Sequence, residues 1–293
     1  MKSTHKPIRS FVIAVITIAI LGVLSSCGKV PAKSTKTSSA THITSETSSD
    51  ASETSSISGP EAYAAYSDVL NSFRKYVNTV VDENDLDSYH DSFDMSNDHQ
   101  TTQAGTAWGG VLNGLRQLRM DTGLPYPEYN KLPLGEVLKQ TLGYAIKDIN
   151  GDGIPEMVIL SKKYRVIGVF TLVDKKPYLL DGYWDRYRCA IDASGLLYIV
   201  GSGGAYYTNW KVQQLAKRNG KLILVAAFGI DGTEGKSDKP RYYKMIDGHK
   251  TIINESEFKA FTKKHPAFAG TFDDAAAQAV TKNSGLEFVP LFK

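Results

Sequence analysis

The chain has 293 residues, 42% of them apolar and 22% charged, with 34 Lys and Arg against 31 Asp and Glu. The three excess cations are matched by Lys2, Lys6 and Arg9, so the rest of the chain is neutral and suggests no basic face of the kind a nucleic-acid partner needs. With only two cysteines, Cys27 and Cys189, a disulfide framework is excluded, and an apolar core must hold whatever folds.

After those three cations comes an uncharged run of 14 residues, Phe11 to Leu24, then Ser25, Ser26 and Cys27. The run is shorter than the roughly 20 residues a membrane-spanning helix requires, and residues 1–26 read as a signal peptide. The junction Leu24-Ser25-Ser26-Cys27 resembles the lipobox of bacterial lipoproteins. That resemblance implies that Cys27 becomes the diacylated first residue of the mature chain, anchored on the extracytoplasmic face of the cell membrane. Each buried CH₂ contributes about 0.8 kcal/mol, so two acyl chains hold a protein there stably where a single short one does not.

Ser34 to Gly59 is mostly Ser and Thr with scattered charge, and residues 27–57 are too poor in large apolar side chains to offset the entropy of ordering. They read as a tether. Ser58-Gly59-Pro60-Glu61 has the spacing of a capping box with proline in the first turn, and Tyr63, Tyr66, Leu70, Phe73, Val77 and Val80 follow at helical spacing. A helix is expected to about Val81. The acid-rich stretch Asp82 to Gln103 has no period. A second helix is expected from about Ala107 to Met120, weakened by Gly109, Gly110 and Gly114 at about 1 kcal/mol each unless close packing requires them. Thr122 to Pro133 reads as a loop by its prolines.

From Leu142 the pattern is that of strands: GYAIK, EMVILSK, RVIGVFTLV, PYLLDGYW, RYRCAI, LLYIVG, YTNWKVQQLAKR, KLILVAAFG, RYYKMI and KTIINE. Turn signals as short as Asn219-Gly220 and Asp247-Gly248 join most of them, which makes sequential neighbours antiparallel. Two helices, Asn254 to Lys264 and about Phe272 to Lys282, and a last apolar strand LEFVPLF close the chain. The expected fold is α+β, an antiparallel β-meander flanked by N- and C-terminal helices, in one extracytoplasmic domain spanning 58–293.

The joint Lys147 to Leu160, KDINGDGIPEMVIL, carries the clearest chemical signal. Calcium takes six to eight oxygens, and alternate side chains supply them when a glycine at the sixth place lets the backbone curl. Asp148, Asn150 and Asp152 stand at places 1, 3 and 5, Gly153 at 6, the Ile154 carbonyl at 7 and Glu156 at 9. Ile159 at place 12 excludes an EF-hand. The spacing resembles the calcium loops of FG-GAP type β-propeller blades, as in integrin α-chains. By that resemblance Asp148, Asn150, Asp152, Ile154 and Glu156 are ligands of a structural Ca²⁺. The motif occurs once, so a propeller does not follow. A plain hairpin is the other reading; Asn-Gly and Asp-Gly are turn dipeptides in their own right, but a turn gives no reason for Asp148 or Glu156. The longer run from Leu142, with YIVGSGGAYYTNW, resembles uncharacterised surface lipoproteins of Gram-positive bacteria, which brings no activity with it.

Other chemistry is weaker. GSGGAYY, Gly201 to Tyr207, lacks a phosphate-loop pattern, and His90, His99, His249 and His265 lack metal-ligand spacing. Tyr183, Trp184, Tyr206, Tyr207 and Trp210, with Tyr187, Tyr242 and Tyr243 nearby, are candidates for a stacking platform, or simply for core. The leading expectation is a calcium-binding module at the cell surface that recognises a wall glycan or a surface protein. The alternative is an extracytoplasmic hydrolase or wall-modifying enzyme whose active site lies in polar loops such as Asp82 to Asp98.

Overall fold

In a computed structural model, residues 56–79, 101–102, 105–125, 127–204, 207–217, 220–231, 241–246, 248–264 and 274–293 are described. All of them belong to one unit, Glu53–Lys293. The signal segment, Cys27, most of the tether and Asp82 to Asp98 lie outside the described residues, as do His90, His99 and His265.

Helix α1, Gly59–Thr79, buries Ala62, Tyr66, Leu70, Phe73, Tyr76 and Val77 along one stripe. Its capping box forms: the Ser58 amide and hydroxyl both donate to Glu61 Oε2, at 2.9 and 2.7 Å. A two-stranded ribbon of β1, Thr101–Thr102, and β2, Gly105–Thr106, leads into α2, Ala107–Gln117. A 3-10 turn, Leu118–Thr122, extends α2 and stops at Gly123 with φ 80°. Helix α3, Leu134–Thr141, occupies a stretch where sequence analysis placed no helix.

All ten strands expected after Leu142 form: β3 (Leu142–Lys147), β4 (Glu156–Ser161), β5 (Val166–Val173), β6 (Lys176–Gly182), β7 (Tyr187–Ile191), β8 (Leu196–Gly204), β9 (Tyr207–Leu215), β10 (Leu222–Asp231), β11 (Arg241–Ile246) and β12 (His249–Ile253). Helices α4 (Glu255–Lys263) and α5 (Asp274–Lys282) follow, then the short β13 (Val289–Pro290). Asn254 caps α4 in a complete capping box with Glu257. Every strand pair is antiparallel, but the meander is cut between β6 and β7. One sheet has the order β13-β3-β4-β5-β6, the other β12-β11-β10-β9-β8-β7.

Three apolar clusters stack these parts into four layers. The first joins α1, α2 and α3 to one face of the five-stranded sheet through Phe73, Trp108, Val111, Met157, Ile159 and Phe170. The second joins the opposite face, through Val158, Leu160 and Val169, to Cys189, Leu197 and Ile199 of the six-stranded sheet. The third lies beyond, where Trp210, Phe228 and Ile253 meet Phe258 of α4 and Val280 of α5. The α+β class expected from the sequence is therefore what forms. Two of the three glycines that weaken α2 have a packing reason: a methyl on Gly110 would fall on the Gly182 carbonyl, and one on Gly114 on the Tyr183 carbonyl. Among the described residues no helix is long and apolar enough to cross a membrane.

Candidate ion loop

The connection from β3 to β4 wraps around one carboxylate. Asp148 Oδ1 accepts from the amides of Gly151 (2.8 Å) and Asp152 (3.2 Å), and Oδ2 from Gly153 (2.9 Å). Asn150 Oδ1 accepts from the Asp152 amide at 3.0 Å, and Asp152 Oδ1 from the Ile154 amide at 2.8 Å. Gly151 and Gly153 take φ of 70° and 82°, the left-handed region that glycine enters at least cost. The sequence therefore builds a nest of amides closed on its own acids.

The loop is fixed from outside as well. The Ile57 amide donates to the Gly153 carbonyl at 2.9 Å, and the Tyr66 hydroxyl of α1 to the Pro155 carbonyl at 3.0 Å. Ile149 is buried in the core between the sheets, and Gly195 of the β7–β8 turn lies directly against its carbonyl. The N-terminal segment thus enters the fold on this loop.

Glu156 begins β4 with its side chain wholly buried. Its Oε2 accepts from the Ile149 amide at 2.9 Å and its Oε1 from the Thr171 hydroxyl at 3.0 Å. Burial pushes this carboxyl up to about 8, Asp152 and Asp148 push in the same direction, and the two hydrogen bonds oppose them. Asp148 and Glu156, for which a bare turn gave no reason, thus both have structural partners. Sequence reading missed Thr171, since nothing in a strand threonine announces a buried carboxylate across the ladder.

The oxygens the loop could offer an ion, the Asp148, Asp152 and Glu156 carboxylates, the Asn150 amide oxygen and the Ile154 carbonyl, are all hard donors of the class calcium takes. Asp148 Oδ2 and both Glu156 oxygens accept one donor each and keep a second lone pair, whereas Asp148 Oδ1 already accepts two. Among the described residues, no three His, Cys, Asp or Glu side chains already converge as a metal-ligand group.

The aromatic residues do not gather on one face. Tyr183 is fully buried between the sheets and stacks on Tyr187 at 5.6 Å. Trp210 is buried in the outer core, stacked on Phe228 at 5.7 Å. Trp184 is half-buried and lines a cavity of about 10 Å³, room for one water, with Arg165, Arg188 and Gln278. Tyr206 and the side chain of Tyr207 lie outside the described residues. A platform that includes Tyr183 and Trp210 does not fit, because both rings are core.

A second buried acid has no sequence signature. Asp181 of β6 accepts from the Tyr187 hydroxyl at 3.0 Å and the Gly182 amide at 2.8 Å. Burial raises its carboxyl to about 6 against those hydrogen bonds and the nearby Lys211 charge. It clips the two sheets together at the point where the meander is cut.

No protein-family model matches the chain, and no curated protein matches it by sequence. One solved structure, described as a Xanthomonas type IV secretion system related protein, aligns with 38% of this chain at 16% identity and a TM-score of 0.24. This chain covers 57% of that one, and so slight a likeness carries no argument about fold or task.

Proposed function

We propose that this protein is an exported lipoprotein, held by acylated Cys27 on the extracytoplasmic face of the cell membrane, whose folded domain binds calcium and acts as an interaction module at the cell surface. A wall glycan or a surface protein is the partner class. The observation that carries the calcium reading is the charge at the β3–β4 joint. Glu156 is buried with its carboxyl pushed up to about 8 by that burial and by Asp152 and Asp148. A divalent cation offsets both causes, since its charge favours the ionised form of every carboxylate around it.

Asp148, Asn150, Asp152, the Ile154 carbonyl and Glu156 would hold the ion. Its chemistry is electrostatic closure of the loop, and Ile57 and Tyr66 carry that closure into the tether root and α1. A set of three carboxylates and one amide suggests a Kd of about 10⁻⁴ to 10⁻³ M, matched to calcium-rich surroundings outside a cell.

Calcium at about a hundredfold over Kd is expected to stabilise the protein by roughly 2 to 3 kcal/mol. In thermal melts at pH 7.5 the midpoint should rise with calcium, fall back in EDTA, and stop responding in Asp148→Ala and Asp152→Ala. An identical melting temperature in calcium and in EDTA would sink the calcium reading. The anchor has its own test: Cys27→Ser should remove the lipid mass shift of the membrane-extracted protein. An unmodified Cys27 in the native protein would overturn the anchor.

A further inference from the structure

After Leu222, β10 continues with Ile223, Leu224 and Val225, which are 53, 37 and 42% exposed. Three successive exposed aliphatic residues are out of place on a packed sheet, where alternate side chains should turn inward. A register shift between Leu224 and Ala226 breaks that alternation. Ile246 pairs opposite Ala226 on β11 and is 43% exposed, and Ile252 on β12 is 60% exposed. Of the nine large apolar residues exposed among the described residues, four, Ile223, Leu224, Val225 and Ile246, lie together at this end, whereas Ile252 pairs with Tyr243 farther along the sheet.

Position explains why nothing among the described residues covers them. The core between the sheets takes residues from β7, β8, the end of β9 and Leu222, and none from β11 or β12. Helices α4 and α5 pack on the other face, to which the register assigns Ile223 and Ile246, but they cover Trp210, Val212, Phe228 and Tyr242 and leave those two exposed. The start of β10, the end of β11 and the start of β12 share one end of the six-stranded sheet, beside the turn that joins β9 to β10.

Around the turns at that end, residues 216–226 and 246–250 carry four cations, Lys217, Arg218, Lys221 and Lys250, against one acid, Asp247, in a chain that is otherwise balanced. Arg218 and Asp247 lie outside the described residues. Lys217, Lys221, His249 and Lys250 are exposed, and Lys250 Nζ sits 4.4 Å from the centre of the Tyr243 ring.

We infer that this end of the six-stranded sheet docks on an anionic lipid surface, with Ile223, Leu224, Val225 and Ile246 entering the boundary between headgroups and acyl chains and Lys217, Lys221 and Lys250 meeting lipid phosphates. The inference rests on the proposed lipid anchor, which keeps the domain within reach of a membrane. Apolar side chains with a cationic rim are the combination that interfacial binding uses. An anionic glycan would engage the lysines but gain nothing from branched aliphatic side chains. A second copy meeting this face through a two-fold axis would set like charges against each other.

The test uses the full chain, extracted from membranes with its lipid and reconstituted on vesicles of phosphatidylcholine alone or mixed equally with phosphatidylglycerol. Tryptic cleavage after Lys217 and Lys221 is followed, with Lys131 on the helical side as the reference site. Cleavage at the two sites should be at least tenfold slower on the mixed vesicles only. Protection should vanish at about 1 M salt, where charges are screened within roughly 3 Å. It should also vanish in the double variant Ile223→Ser, Val225→Ser and in Lys221→Glu, Lys250→Glu, each checked for a native melting temperature.

Vesicle flotation without this protection overturns the docking surface and leaves the anchor standing, whereas failure to float overturns the anchor. Equal protection on both vesicles removes the anionic requirement. Protection that rises with protein concentration in detergent, without vesicles, assigns the face to self-association and overturns the inference.

Discussion

Gly110→Ala is expected to destabilise the protein by at least about 3 kcal/mol, although alanine is the better helix former by about 1 kcal/mol. The added methyl would fall on the Gly182 carbonyl, and the reciprocal approach of Gly182 to the Ala107 carbonyl is equally close. Both sides of this contact are backbone, so no rotamer change relieves it. Helix α2 would have to lift from β6, pulling Trp108, Val111 and Leu115 out of the cluster they form with Phe73 and Phe170. Gly59→Ala is the control, because a methyl there meets nothing within 4 Å, and its effect should stay within about 0.5 kcal/mol. Urea unfolding gives both numbers as shifts of the midpoint at constant slope. A Gly110→Ala protein as stable as the native one would mean that α2 does not lie on β6 as described.

That contact marks a limit of what the sequence could reveal. Gly110 and Gly114 weaken the helical pattern because their cost is local, while the strand that requires them is about 70 residues further on. Strands were legible for the opposite reason: their evidence, apolar runs closed by turn dipeptides, is itself local, and β3 to β12 form where those runs stand. The cut between β6 and β7 was not legible. The Trp184–Tyr187 bridge makes as tight a turn as the others, so the switch of sheets depends on packing and on the Asp181–Tyr187 bond. Helix α3 was hidden by Pro133, which reads as loop but stands at the N-cap ahead of Leu134, Val137, Leu138 and Thr141, all buried at helical spacing. Aromatic residues misled because the central sheets are covered on both faces, so alternation along a strand does not separate core from surface. At the ion loop the candidate residues were legible and their partners were not. The amides that hold Asp148 come from the loop itself, but Thr171 comes from the neighbouring strand.

Glu156→Gln is expected to stabilise the protein at alkaline pH without calcium, by about 3 to 5 kcal/mol at pH 9 before any difference in hydrogen bonding, and to leave it nearly unchanged at pH 4. The native carboxyl is raised from 4.5 to about 8, first by burial and then by Asp152 and Asp148. Between those values the folded chain keeps a proton that the unfolded chain has released. Native stability therefore falls as pH rises through that window, by up to about 1.4 kcal/mol per unit, and levels off above about 8. Glutamine carries no such proton. Its oxygen can accept from the Ile149 amide and its nitrogen can donate to Thr171 Oγ1, so both contacts of Glu156 survive in an uncharged form. Calcium separates the two accounts of the loop. If the ion binds, it favours the ionised carboxyl, so in calcium the native protein should lose its pH slope above about pH 6, beyond the range where Asp181 contributes, and recover most of the gap at pH 9, while Glu156→Gln responds weakly. If the loop is only a turn, the slope persists with calcium or EDTA alike and the variant stays ahead. Urea midpoints from pH 4 to 9, with and without calcium, distinguish these outcomes. A native protein whose stability does not fall between pH 5 and 8 in EDTA would show that Glu156 is not held protonated, and the electrostatic argument for the ion would fall with it.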